Sequence, residues 1–215
     1  IITRSLSYFP LLLVSARCVL AQSNPIVVEN SLPGNPASQW DLAGPTDPSV
    51  QGFATEISVN RGERVRFKVD TDASNYRIDI YRLGYYQGFG ARLITRVTPW
   101  VALPQSQPNP ITDSSTGLVD CGNWSESAFW DIPPNATSGV YIGKLVRSDT
   151  GGASHIIVVV RDDAGPSDLL FQTSDTTWQA YNSYGGNSLY VGSPAGRAYK
   201  VSYNRPDISR GGPFF

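Results

Sequence analysis

The side chains best placed to do chemistry follow a short apolar run near the end of the chain. Asp168-Leu-Leu-Phe171 has the pattern of a buried strand, and residues 172–177 form a polar segment rich in hydroxyl and carboxylate oxygens. The chain then enters Trp178-Gln-Ala-Tyr-Asn182, a segment able to form a helix with its cap among residues 174–176. Ligand sites in α/β domains lie at the carboxyl ends of strands. We therefore predict a ligand site at this strand-to-helix turn.

This turn implies that residues 164–215 open an α/β domain. The polar link Arg161-Asp-Asp-Ala-Gly-Pro-Ser167 before it is typical of a domain edge. So short a segment cannot close an α/β sheet, and we expect it to be only marginally ordered unless it packs on the preceding domain. The sequence contains no Met and begins with Ile1. These features indicate an excerpt from a longer protein.

The preceding residues 22–163 have the pattern of an immunoglobulin-like β-sandwich, so the chain is predicted to be mainly β. Val65, Phe67 and Val69 alternate with charged residues, as in a strand with one buried face. Further strand candidates are Tyr76–Ile80, Leu93–Val97, Val140–Val146 and Ile156–Val160. Several short strands separated by Gly, Pro and Asn are typical of that sandwich.

Other reactive or aromatic residues within the sandwich segment have both structural and functional interpretations. Trp100, Trp124 and Trp130 either form a platform on which sugars stack or pack in the core and at its rim. His155 is the only histidine, so it has no histidine partner for a metal site and is expected to bond locally at a strand end. Cys121 is expected to be a buried, inert thiol.

Composition and the first residues restrict the function class further. The net charge is −1 and the charged fraction is 16%, so the basic excess of a nucleic-acid binder is absent. Residues 1–21 combine Arg4, the apolar run Leu6–Val14 and small residues before Gln22, which is typical of a secretory signal peptide. The apolar run is too short for a membrane-spanning helix. We therefore expect a secreted or periplasmic protein.

Three runs of the sequence resemble secreted proteins related to the large (beta) subunit of N,N-dimethylformamidase. The similarity extends from about Asn24 to the end of the chain, and the last run is its most specific part. The runs are Tyr76–Tyr86, Ser138–Val146 with Gly152–His155, and Asp168–Asn182.

The resemblance implies a sandwich followed by an α/β catalytic domain similar to glutamine-amidotransferase folds. It also implies a mononuclear ferric iron (Fe³⁺) held by two tyrosines and a glutamate, hard oxygen donors that suit this ion. Such iron would polarise an amide carbonyl and deliver hydroxide to it, so that dimethylformamide gives dimethylamine and formate. The implied first ligand is Tyr181, with Tyr184 as the fallback, while Asp175 and Asn182 are candidate pocket residues without an assigned role.

Two functions remain open from the sequence. The first is a fragment of a secreted iron-dependent amidohydrolase that acts on a small amide. It would be inactive and free of iron alone, because the other metal ligands would follow Phe215. A small subunit or a second copy is a possible partner, whereas nucleic acid and a membrane span are not expected. The alternative is a secreted binding or adhesion module for a glycan or cell-wall polymer, without catalysis.

Overall fold

A computed structural model describes residues 24–210, so the predicted signal peptide at residues 1–21 lies outside the described residues. This part of the chain is mainly β, as predicted, with three short α-helices. The helices are α1 (Pro25–Asn30), α2 (Ala37–Trp40) and α3 (Asp175–Tyr181). The strands are β1 (Val50–Ala54), β2 (Ser58–Asn60), β3 (Arg64–Thr71), β4 (Tyr76–Leu83), β5 (Ala91–Val97), β6 (Ile111–Asp113), β7 (Leu118–Asp120), β8 (Ala128–Asp131), β9 (Gly139–Arg147) and β10 (Ala153–Arg161).

Two larger sheets share one hydrophobic core, as the layers of a β-sandwich do. The smaller has the order β1-β3-β8 and the larger the order β2-β10-β9-β4-β5, while β6 and β7 form a separate hairpin. Val65, Phe67 and Val69 of β3 enter the same buried cluster as Ile78 and Ile80 of β4. Alternation with a period of two explains this, since every second side chain of a strand points to the same face.

The outer face of the larger sheet carries a row of charged and titratable side chains. Asp79 is in register with Arg96 on one side and Lys144 on the other, and Lys144 is in register with His155. The Lys144 ammonium and the His155 Nε2 donate to three successive carbonyls of residues 39–41, at 2.8–2.9 Å. These bonds fasten the end of α2 over the outer face of the sheet.

The predicted strand at Asp168–Phe171 is wrong for the described part of the chain. These residues have no assigned strand, and the side chains of Leu169, Leu170 and Phe171 are 90%, 95% and 81% exposed. A strand is stable when its backbone groups pair with a neighbour, and no strand among residues 24–210 pairs with this one. An apolar run alone therefore did not identify a strand.

The sequence predicted that the segment after residue 171 would be well ordered only if it packed on the preceding domain. It does pack on the preceding sheets. Asn187 donates to the carbonyl of Gly117 at 2.8 Å, and the Tyr199 amide donates to the carbonyl of Thr116 at 2.7 Å. Farther along, Arg210 forms a 2.6 Å ion pair with Asp41 beside α2. The segment thus runs from the β6–β7 hairpin to the outer face of the larger sheet. Within residues 24–210, no helix has the length and apolar character needed to cross a membrane.

Removal of a central aromatic ring tests the shared core. Phe67 is fully buried between the sheets, so Phe67→Ala is expected to lower the free energy of unfolding by about 3–5 kcal/mol. Phe129→Ala is the matched control on the adjacent strand, because that ring is exposed and lies under the Arg64 guanidinium. Urea denaturation measures both. Equal losses in the two variants would contradict the assignment of Phe67 to the core.

Candidate functional site

Helix α3 starts where the sequence predicted a cap. Ser174 occupies the N-cap position, and its carbonyl accepts from the amides of Thr177 and Trp178 at 2.9 and 3.2 Å. Its side chain makes no capping bond, whereas Asp175 in the first turn places a negative charge at the positive end of the helix. The helix therefore begins at Asp175, and it carries Trp178, Gln179 and Tyr181 in its seven residues.

The end of α3 is organised by Arg205, which the sequence analysis did not single out. Its guanidinium is buried and donates to four backbone carbonyls at 2.8–3.4 Å, those of Gln179, Asn182, Tyr184 and Asn187. The last carbonyls of a helix lack partners within the helix, and a cationic donor satisfies them well. Burial lowers the pKa of Arg205, and the nearby Asp207 carboxylate opposes that shift.

Asn182 and Asp175, the two candidate pocket residues, both make hydrogen bonds to other parts of the chain. The Asn182 amide donates to the Pro206 carbonyl at 2.9 Å, and its side-chain oxygen accepts from the amides of Tyr184 and Ile208. The Asp175 carboxylate accepts from the Tyr203 hydroxyl at 2.6 Å. These bonds join α3 and the following loop to residues 203–208 and define one rigid turn.

Tyr181, the first-choice metal ligand, lies at the end of α3 against Tyr190. The two rings are stacked, with centroids 4.3 Å apart and planes 7° apart. A hydrogen bond with the Tyr190 hydroxyl raises the pKa of Tyr181. Two phenol oxygens thus lie within hydrogen-bonding range of each other, one on the half-buried Tyr181 and the other on the exposed Tyr190.

Tyr184, the fallback ligand, lies in a different environment. Its ring packs edge-on against Trp124 at 6.4 Å, next to the buried cluster of Phe53, Cys121 and Trp124. Burial raises its pKa strongly, so its phenolate is disfavoured. Cys121 is buried as predicted, and burial raises its pKa to about 12, which keeps the thiol protonated and inert.

The three tryptophans do not form a sugar-stacking platform. Trp100 is 63% exposed, whereas Trp124 and Trp130 are 4% and 6% exposed and pack in two separate clusters. A platform needs coplanar exposed rings, and only one of the three is available. The core-packing interpretation is therefore the correct one for Trp124 and Trp130.

His155 lies near the start of β10, as predicted, but its hydrogen bond is not local, because the partner is Trp40 at the end of α2, 115 residues earlier in the chain. Its Nε2 lies 2.8 Å from the Trp40 carbonyl, and because a carbonyl only accepts, this nitrogen carries the proton. Burial lowers its pKa to about 4. Its ring also contributes to two adjoining pockets beneath α3.

The two pockets lie between the larger sheet and the segment that carries α3. The smaller, of about 50 Å³, is lined by Phe53, Trp178, Gln179, Arg205 and Asp207 among others. The larger, of about 220 Å³, shares His155, Ile157, Trp178 and Asp207 with it and extends to Arg210. The apolar walls and few polar groups are those of a small-molecule site, but both volumes are below the roughly 300–1,000 Å³ of such sites.

The donor set available for a metal is incomplete in this part of the chain. Residues 24–210 contain no group of three or more His, Cys, Asp or Glu side chains arranged to hold a metal ion. The phenol oxygens of Tyr181 and Tyr190 are hard donors of the type that ferric iron accepts, yet two donors do not fill its coordination sphere. These two oxygens alone therefore do not form an iron site.

The comparison with family models decides the relationship that the sequence motifs indicated. A model described as N,N-dimethylformamidase beta subunit-like, C-terminal, matches residues 77–215. The chain belongs to this family. The match begins within β4, so the first three strands lie outside it, and it includes α3, Tyr181 and Arg205. The resemblance to the N,N-dimethylformamidase beta subunit-like family is thereby confirmed.

Other comparisons add little to this assignment. None of the curated proteins compared with the chain matches it. One solved structure that is similar to the chain is domain 1 of VCBP3 from Branchiostoma floridae, at 9% identity and a TM-score of 0.32. That likeness covers 54% of this chain and 97% of the other.

Loss of the Arg205 guanidinium is expected to loosen the turn selectively. Arg205→Met removes four hydrogen bonds to carbonyls, so the opening free energy of α3 and residues 182–190 should fall by about 3 kcal/mol. Amide hydrogen exchange measures this, with β9 and β10 as the internal reference. Arg197→Met, at an exposed arginine beside Tyr199, should leave these rates unchanged. Unchanged exchange in Arg205→Met would refute the role of this residue.

His155 is expected to make stability depend on pH. Its pKa is about 4 in the folded chain and near 6.5 when unfolded, so the unfolded state binds more protons between these values. Stability is therefore complete above pH 6.5 and falls by at most about 3 kcal/mol as the pH drops towards 4. Lys144 and Arg210 oppose protonation and Asp41 favours it.

The difference in unfolding free energy between wild type and His155→Gln isolates this effect, because carboxylates elsewhere titrate equally in both chains. The difference should shrink as the pH falls from 6.5 to 4. A difference independent of pH over that range would show that His155 is not held in its neutral form.

Proposed function

We propose that this chain is part of a secreted amidohydrolase that cleaves the C–N bond of a small amide with the help of ferric iron. The observation that carries the proposal is the family match over residues 77–215, which includes the turn at α3. Secretion rests on the pattern of residues 1–21. Within this proposal, residues 164–215 open the α/β catalytic unit.

Tyr181 is the proposed iron ligand of this chain. Its hydroxyl lies at the carboxyl end of α3 beside that of Tyr190, whereas the hydroxyl of Tyr184 is held next to Cys121. The bond with Tyr190 keeps Tyr181 protonated in the absence of metal, and a nearby trivalent cation reverses this preference. When bound, ferric iron supplies a Lewis acid for the amide carbonyl. Arg205 and Asn182 hold the loop that follows Tyr181 at a fixed distance from α3.

We also propose that the sandwich is immunoglobulin-like. The order β1-β3-β8 opposite β10-β9-β4-β5 corresponds to the arrangement of such domains with one added edge strand. The Tyr141 hydroxyl donates to the Thr137 carbonyl at 2.6 Å, at the corner between β8 and β9. This bond is the tyrosine corner of that fold.

Iron content tests the proposed function and Tyr181 together. The natural gene product that carries this chain is expected to bind about one iron per chain, to show a phenolate-to-iron absorption band and to release amine from a formamide. Tyr181→Phe should lose the iron, the band and the hydrolysis, because the phenyl ring supplies no oxygen donor.

Tyr199→Phe is the matched control, since that tyrosine is exposed and its ring lies under the Arg197 guanidinium. Retention of iron in Tyr181→Phe would remove this residue from the site, and Tyr184→Phe would then be the next variant. If the wild-type protein neither binds iron nor releases amine, the proposed hydrolase function is wrong.

A further inference from the structure

The segment between β10 and α3 is exposed along its length. Every residue from 166 to 172 is exposed to solvent. Leu169, Leu170 and Phe171, at 90%, 95% and 81%, are the three most exposed of the large apolar side chains in residues 24–210. A partner from solution therefore reaches these side chains without any rearrangement of the sheets.

The backbone of the same segment is not hydrogen-bonded. Among the described residues 24–210, no backbone or side-chain hydrogen bond involves residues 166–172. The segment is anchored at its ends, because the Gly165 amide donates to the Asp162 carbonyl at 3.2 Å and α3 begins at Asp175. An extended conformation of these residues breaks no hydrogen bond, so it is reached at little cost in free energy.

Exposure and a free backbone are the two properties that an endoprotease requires of its substrate. The substrate lies extended in the cleft and adds its backbone to a strand of the enzyme, while a pocket receives the side chain before the scissile bond. Leu and Phe side chains suit a pocket with apolar walls. Residues 166–172 contain no Lys or Arg, so a pocket that selects cations finds no side chain here.

We propose that residues 169–171 form a processing site for an endoprotease with an apolar specificity pocket. The bond between Phe171 and Gln172 is the expected point of cleavage, because the aromatic ring fills such a pocket. Its carbon–nitrogen bond breaks as one water molecule is added, which leaves a carboxylate on Phe171 and an ammonium group on Gln172. The site includes neither iron nor Tyr181, so it goes beyond the proposed hydrolase function.

The two pieces are expected to stay together after the cut. Residues 172–210 bind the sandwich through contacts that do not involve the cleaved segment. The Cys121 amide donates to the Asn204 carbonyl at 2.5 Å, and the Ser202 hydroxyl donates to the Asp120 carboxylate at 2.5 Å. Cleavage therefore produces a two-piece protein rather than a free sandwich.

Exposure alone does not select the site. Tyr85 and Trp100 are 71% and 63% exposed and also suit an apolar pocket. The Tyr85 amide donates to the Asn30 side chain at 2.9 Å, and the Trp100 amide donates to the Ser127 carbonyl at 3.1 Å. An extended conformation at either position breaks a hydrogen bond that residues 169–171 do not have, so these positions should be cleaved more slowly.

Limited proteolysis of the 215-residue chain with chymotrypsin tests the site, with the fragments identified by mass spectrometry. We expect the first cut within residues 24–210 to follow one of residues 169–171, and the two pieces to elute together in size-exclusion chromatography. The triple variant Leu169→Ser, Leu170→Ser, Phe171→Ser should slow this first cut at least about tenfold, because Ser does not fill the pocket.

Tyr85→Ser is the matched control, since it removes an exposed aromatic side chain from a hydrogen-bonded segment, and it should leave the rate of the first cut unchanged. A first cut elsewhere within residues 24–210, or an unchanged rate in the triple variant, would overturn the processing site. Separation of the pieces on the column would overturn the two-piece product. None of these results depends on iron, so failure here is distinguishable from failure of the proposed function.

Discussion

The candidate site depends on one buried cation, the guanidinium of Arg205. It occupies the space where α3 ends and satisfies carbonyls that a short helix leaves unpaired. Removal of a charged group from water is unfavourable, so the position is stable only because four acceptors surround it. The end of α3 with Tyr181 and the following loop with Tyr184 and Tyr190 are therefore held from the inside, through their backbone, rather than by a hydrophobic core of their own.

The same turn is held from outside by the larger sheet. Lys144 and His155 of the sheet donate hydrogen bonds to the carbonyls of residues 39–41. Arg210 forms an ion pair with Asp41 in the same segment. The sheet, the N-terminal segment and the chain around α3 thus enclose two adjoining pockets. Their polar groups come from α3 and from residues 205–210, while their apolar floor comes from β1 and β10. The pockets arise because two layers meet without filling the space between them.

The environments of the two candidate tyrosines differ in a way that matters for metal chemistry. The oxygen of Tyr181 lies at the helix end, hydrogen-bonded to the phenol of Tyr190. The oxygen of Tyr184 lies beside a buried thiol and an indole, where ionisation is opposed by burial. The family assignment alone does not distinguish these residues, whereas their packing does.

The sequence by itself determined the strands of the sandwich and several local environments. Alternation along β3 and β4 and the buried thiol of Cys121 follow from periodicity and residue type, which act over a few residues, whereas the bond of His155 joins it to Trp40, 115 residues away. Only the tertiary structure decided that Arg205 is buried, that Trp124 and Trp130 are core residues, and that Asp168–Phe171 has no strand partner in the described chain. The physical reason is the range of the interactions, because burial and pairing depend on segments far away in sequence. Arg205 has no local signal at all, since the carbonyls that hold it lie 18 to 26 residues earlier in the chain.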